Sequence, residues 1–443
     1  MKTTLLLKNG RILDGSRGEP IPADILIRDG KVERIGRDLS TEGAETRELG
    51  GRLAIPGLID MHIHLREPGF EEKETIATGT RAAARGGFTT VACMPNTCPV
   101  TDTPGKVRRI REMNEREGCG VQVLPIAAIT RSSSGKVLTD MAGLKEAGAI
   151  AVSDDGVGVQ SPRMMKEAMR LASEVGLPVV AHCEEEDLLV PGACVHDGVF
   201  AKKHSLPGIP AESESIHVGR DILLAEDTGV HYHICHISSE GSVRLVREAK
   251  SRGQRVTAEV TPHHLLLCEE DIPGPDPMYK MNPPLRSIKD RQALIEGLKD
   301  GTIDFIATDH APHTASDKRK DIREAPFGIV GLETAFPLLY THLVLTGELT
   351  LAQLVDRMSR LPAARFGLSR GILEEGRVAD LTVIDLAEER EIDPNRFESK
   401  GKNTPFAGWK AKGWPVMTLV EGNIVWEESG VRAVDRKKAW HTF

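Results

Sequence analysis

Eight short runs rich in Val, Ile and Ala constrain this chain most. They lie near residues 54–64, 88–95, 121–129, 149–153, 178–182, 230–236, 256–261 and 304–308. Between them are segments with helical periodicity, among them Glu71 to Arg85, Pro104 to Arg116, Pro162 to Val175 and Gly241 to Arg252. Eight strands alternating with helices are the signature of a parallel barrel. An open doubly wound sheet is the alternative, but it gathers functional groups mainly at its switch point, whereas a barrel sets the C-terminal ends of all eight strands around one mouth. The expected class is α/β, a (β/α)8 TIM barrel over residues 53–372.

The residues at the strand ends support the barrel. Asp60-Met-His62-Ile-His64 ends the first run, and alternation along a strand puts His62 and His64 on one face, about 7 Å apart at their Cα atoms. Two imidazoles so placed can close on one metal ion. Later runs supply further ligands: Asp154 after Ala149 to Ser153, His182 after Leu177 to Ala181, His236 after Val230 to Cys235, and Asp309 after Phe305 to Thr308. Six candidate ligands at five strand ends make a metal site. His231 and His233 fall on the face opposite His236 and read as core histidines or as support for a ligand, as do His263 and His264; Asp60 suits an acceptor behind His62.

The two ends of the chain differ from the middle. Residues 1–52 and about 373–430 alternate apolar and polar side chains with Asn-Gly, Asp-Gly and Gly-Asn turns. Neither half suffices alone, so residues 1–52 and 373–443 are expected to form one composite β-sandwich, with Lys437-Lys438 in a solvated tail. With 57 basic against 65 acidic residues, a net charge of −8 argues against nucleic acid or an anionic membrane as partner and for a small-molecule substrate. The apolar core of Met1 to Lys8 is too short for a signal peptide and no run of about 18 apolar residues occurs, so a cytoplasmic location is expected. Seven cysteines, odd in number and without paired spacing, read as reduced packing residues. Cys183 and Cys235 each neighbour a proposed His ligand but point to the other face, which argues against thiolate ligation.

In the stretches Asp60 to Gly69, Gly87 to Thr97, Ser153 to Gly156, Ala181 to Glu184, Cys235 to Ser239, Thr261 to His264, Met281 to Arg286, Ala307 to Thr314 and Gly401 to Phe406, the chain resembles the amidohydrolase superfamily, and within it the bacterial class I dihydroorotases. The Leu65-Arg-Glu-Pro-Gly69 and Met94-Pro-Asn-Thr97 elements separate them from other cyclic amidohydrolases. The resemblance implies two zinc ions per subunit: His62, His64 and Asp309 on one, His182 and His236 on the other, and Asp154 bridging, with Asp155 as the alternative bridge. Asp309 would be the catalytic base. Arg66, Asn96 and His313 would take a ring carboxylate, Asn282 the ring amide edge, and Phe327 and Gly328 would complete the substrate pocket. The implied activity is the reversible interconversion of N-carbamoyl-L-aspartate and (S)-dihydroorotate in pyrimidine synthesis. Another cyclic amidohydrolase, allantoinase or hydantoinase, and a non-catalytic scaffold for aspartate transcarbamoylase remain as alternatives; a homodimer and an aspartate transcarbamoylase complex are the expected assemblies. The loop from Ala311 to Gly328, with its charged stretch Asp317 to Glu324, is expected to fold over the bound ring as a lid.

Overall fold

A computed structural model describes residues 4–14, 18–40 and 43–428. The tail containing Lys437 and Lys438 lies outside the described residues.

Eight parallel strands form the barrel in chain order: Leu58–Ile63, Phe88–Cys93, Gln122–Ala127, Ala151–Val152, Val179–Ala181, Tyr232–Ile234, Val256–Val260 and Phe305–Ile306. The ring closes just beyond the last strand, where the His64 amide donates to the His310 carbonyl at 2.9 Å and Ile63 bridges His310 in parallel. Helices cover the outside, and their apolar faces join the largest core cluster. The lumen is filled, not open: Ile59, Met61, Ala92, Ile126, Ala151, Val180, Cys235, Phe305 and Ala307 form a separate buried cluster, with Ala363 and Phe366 packed on it. Below the mouth the barrel is thus a solid core, and only its upper rim is free to carry chemistry.

The helix starts follow local chemistry. Pro104–Glu117 and Pro162–Val175 both begin at proline, where a missing N–H costs nothing, and Ser161 caps the second by accepting from the Met164 amide. The helix expected from Glu71 begins later, at Ile76, because Thr75 and Thr78 form a reciprocal capping box there.

The apolar run 54–64 is two strands. Leu53–Pro56 belongs to the terminal sheet and Leu58–Ile63 to the barrel. Gly57 separates them at a point where a Cβ would sit 2.3 Å from the Thr89 side chain, so only glycine allows this approach. The terminal sheet has eight strands drawn from both ends of the chain: Leu53–Pro56 pairs with Thr4–Ile12 on one side and with Leu381–Glu391 on the other. Its own core, including Leu7, Ile25, Ile27, Val32, Leu381, Val383 and Leu419, is buried. Among the described residues no helix is long and apolar enough to cross a membrane.

Candidate metal centre and substrate pocket

At the mouth, His62, His64, Asp155, His182, His236 and Asp309 converge. All six are buried. The His64 Nε2 lies 3.0 Å from Asp309 Oδ1, and the His62 Nε2 lies 3.4 Å from the same oxygen and 3.5 Å from Asp155 Oδ1. His182 Nδ1 and His236 Nε2 face each other at 3.1 Å. Their supports fix which atoms point inward. The His62 Nδ1–H donates to Glu259 Oε1 at 2.6 Å, and the His64 Nδ1–H donates to Asn96 Oδ1 at 3.0 Å, which leaves an Nε2 lone pair of each ring facing carboxylate oxygens.

Buried lone pairs that face one another without a proton between them repel, and they are relieved by a cation. His62 Nε2, Asp155 Oδ1 and His236 Nδ1 are buried without a hydrogen-bond partner. Two ligand groups lie within reach of a single ion, His62 with His64 and Asp309, and His62 with Asp155 and His236. Titration directions differ across the cluster: burial would lower the His62 and His182 imidazoles, but Cys235, Glu259 and Asp309 raise the first well above the usual range and Glu184 raises the second. Burial, with His182 and His62 nearby, holds His236 well below the usual imidazole range, so it is neutral. Burial alone would raise Asp309, but the His62 and His64 rings reverse this and hold it well below the usual carboxylate range. Four imidazoles meeting two carboxylates form the donor set of a zinc-type centre, so the residues fit the metal ions that the resemblance implies. Cys235 also lies within reach of His62 and Glu259, but burial pushes its thiol up, and a neutral thiol is a poor ligand.

Asp154 is not part of this cluster. Its carboxylate accepts from the Thr130 amide at 3.0 Å and from the Thr130 hydroxyl, which turns it away from the histidines. Asp155 instead faces His62 and His236 within reach of a single ion, with its Oδ2 accepting from Asn96 Nδ2 at 3.0 Å. The strand ends at Val152, so simple alternation no longer decides which aspartate faces inward.

A cavity of ≈ 140 Å³ opens beside the cluster. Arg66, Asn96, Asn282, Phe327 and Gly328, all expected in the substrate pocket, line it. His313 does not line it. Its ring Nε2–H donates to the Phe327 carbonyl at 2.7 Å, burial and Arg66 depress its pKa to about 2, and Arg66 Nη2 lies 3.3 Å from it. A neutral His313 whose only N–H is engaged by Phe327 has no proton to give a ligand and no lone pair on Nε2 to accept from Arg66. Asn282 Nδ2 donates to both oxygens of Glu184 at 3.1 and 3.2 Å.

Three of these residues carry left-handed backbone: Arg66 (φ 62), His236 (φ 29) and Asp309 (φ 48). Each follows the end of its strand, and the turn sends the side chain into the mouth at a cost of order 1–3 kcal/mol per residue. Asp60 accepts from the His62 amide at 3.0 Å and from the Thr308 amide, tying the first strand to the last. His233 lies below the mouth, stacked 5.0 Å from Phe305, with its Nε2–H donating to Glu259 Oε2 at 3.1 Å. His264 is held by Thr261 and the Pro283 carbonyl.

Glu259 escaped the sequence reading. It is fully buried, and burial, which opposes ionisation, is outweighed by His62 and His233, which bring its pKa down to about 2. The signal was an acid within the otherwise uncharged buried strand Val256–Val260, where a carboxylate needs partners.

Comparison with known proteins agrees with this arrangement. A family described as Dihydro-orotase-like matches residues 51–242, and the Amidohydrolase family matches residues 270–426. The chain is 61% identical over 424 residues to a dihydroorotase of Brevibacillus brevis, covering 96% of this chain and 99% of that protein. It is 60% identical over 431 residues to a dihydroorotase of Halalkalibacterium halodurans, covering 97% and 100%. Among solved structures, the L-hydantoinase (dihydropyrimidinase) of Arthrobacter aurescens superposes with a TM-score of 0.87 at 28% identity, covering 98% of both chains.

Proposed function

The chain belongs to the dihydroorotases of the amidohydrolase superfamily, and from that premise we propose that the cavity at the barrel mouth holds two zinc ions and is where N-carbamoyl-L-aspartate and (S)-dihydroorotate interconvert. The observation that carries the reading is the meeting of the buried His/Asp cluster with Arg66 in one cavity. His62, His64 and Asp309 would hold one ion, His182 and His236 the other, and Asp155 would lie between them. When bound, the ions polarise the ring carbonyl and bring the pKa of water toward neutrality.

The chain's own residues do the rest. Asp309 faces the cluster through Oδ1 and is the group placed to take a proton from the attacking water and return it to the leaving ring nitrogen. Arg66, half-buried and donating through Nε to the Pro312 carbonyl at 3.3 Å, presents its remaining N–H groups to the substrate carboxylate, beside Asn96. Asn282, with its amino group committed to Glu184, offers its oxygen to the ring N–H. Ring opening creates a carboxylate and releases a proton, so acid favours the ring and alkali the open chain.

Hydantoinase chemistry is the competing reading because of the shared fold, but only dihydroorotate, among the cyclic amides considered, calls for a cation beside the cluster. Metal analysis with parallel turnover of dihydroorotate, hydantoin and allantoin tests the proposal. The expected result is close to two ions per chain and turnover of dihydroorotate well above the other two. At most one ion with full activity, or preference for hydantoin, overturns it.

A further inference from the structure

The stretch Gly401 to Phe406 lies far along the chain from the cluster, yet Asn403 is buried directly behind the substrate pocket, 2% exposed. Its Nδ2 donates to the Ala311 and Gly328 carbonyls, both at 3.0 Å, and its Oδ1 accepts from the His313 amide at 3.0 Å. The Asn403 carbonyl accepts from the Val330 amide at 2.8 Å. One side chain therefore joins both stems of the 311–328 loop, with both its N–H groups and its oxygen engaged. Ala311 and Gly328 line the cavity, and Pro312, between the clamped Ala311 and His313, presents the carbonyl that accepts from Arg66 Nε at 3.3 Å.

Asn403 is itself held. Gly401 passes so close to Pro312 that a Cβ there would lie 2.6 Å from Pro312 Cβ, and Lys402 Nζ ties back to the Phe397 and Ser399 carbonyls at 2.7 Å each. Ser399 in turn donates to Glu74, which also accepts from His310, the neighbour of Asp309. The segment is thus a rigid brace reaching the mouth from outside the barrel.

We propose that Asn403 is a positioning residue for the substrate's ring carboxylate: by clamping Ala311, His313 and Gly328 it sets the place of the Arg66 guanidinium, so the C-terminal segment takes part in substrate selection. This rests on the reading of Arg66 as the carboxylate's partner. Asn403→Asp keeps the size and removes both N–H donors, placing an anionic oxygen against two carbonyls. Loosening the Arg66 platform weakens ground-state and transition-state binding alike, which raises KM and spares kcat.

The test measures kcat, KM for dihydroorotate and bound metal for Asn403→Asp, Arg66→Ala and the double variant. The expected result for Asn403→Asp is a KM increase of about tenfold or more, kcat within about threefold and unchanged metal. In the Arg66→Ala background the same change should alter KM by less than about twofold, because its effect passes through Arg66. A merely structural asparagine would instead lower kcat and metal content together, with effects that multiply in the double variant; that result overturns the proposal. If Arg66→Ala leaves KM unchanged, the carboxylate reading fails and takes the proposal with it. If Arg66→Ala raises KM and Asn403→Asp does not, only the role of Asn403 falls. Should Asn403→Asp not fold, Asn403→Ala is read by the same criteria.

Discussion

Asp154 and Asp155 are adjacent and chemically identical, and the structure gives them opposite tasks. Asp154 closes the turn onto Thr130, while Asp155 faces the imidazoles. Asp155→Asn is expected to lower bound metal below two per chain and to abolish most turnover. Asp154→Asn should retain the metal and lose about 1–3 kcal/mol of stability from the weakened turn. Elemental analysis with thermal melts separates the two, and the reverse pattern would restore Asp154 as the bridge. Asp309→Asn should reduce turnover about 10²-fold or more, and a metal count on the same sample distinguishes loss of the base from loss of an ion. The histidines and Asp309 were legible in the sequence because each follows an apolar run directly. The choice between two aspartates was not legible, because it depends on Thr130, 24 residues away.

Elements were legible where one periodicity dominated. Pro162–Val175 occupies its expected limits, since proline begins it and Gly176 ends it in left-handed backbone. The run 54–64 concealed a boundary because both of its strands are buried and apolar, and only Gly57, crowded by Thr89, marks the break. Within the 311–328 loop, expected to fold over the ring as a lid, the charged stretch holds a buried anchor: Lys318 is 3% exposed, and its side-chain nitrogen donates to the carbonyls of Pro277, Lys280 and Pro326 at 3.0, 3.1 and 2.9 Å. Lys280 reciprocates onto the Ile322 carbonyl at 2.7 Å and lies 4.4 Å from the Phe327 ring centre. No local pattern distinguishes a lysine used this way from a solvated one. Lys318→Met should leave three buried carbonyls without a donor, cost about 1–3 kcal/mol or more, and speed protease cleavage within residues 319–323 while metal content stays constant. Unchanged cleavage would show that the loop is held by other contacts.

At the scale of the whole molecule, barrel and terminal segments meet at Glu333. Its carboxylate accepts from the Glu398 and Ser399 amides at 3.0 and 3.1 Å and lies 3.4 Å from Arg85. Burial, which outweighs Arg85, raises its pKa from 4.5 to about 7. An acid whose pKa is raised on folding binds its proton more tightly when folded, so its ionisation destabilises the fold as pH climbs from about 4.5 to 7, by a total on the order of 3 kcal/mol. Glu333→Gln should therefore gain stability relative to the parent between pH 5 and pH 8, as read from the difference in melting temperature at the two values. A difference that stays constant over this range would mean that Arg85 keeps the carboxylate ionised throughout.

The strand Leu53–Pro56 sits between partners from opposite ends of the chain, Thr4–Ile12 and Leu381–Glu391. During synthesis its second edge cannot be satisfied until more than three hundred further residues have been added, and until then the nascent chain carries an open, apolar strand edge beside a growing barrel. The segment from Leu381 to Asn403 is thus a closing bolt: it covers that edge and, in the same passage, delivers Asn403 to the mouth, so a chain released before it would lack its seal and its finished pocket together.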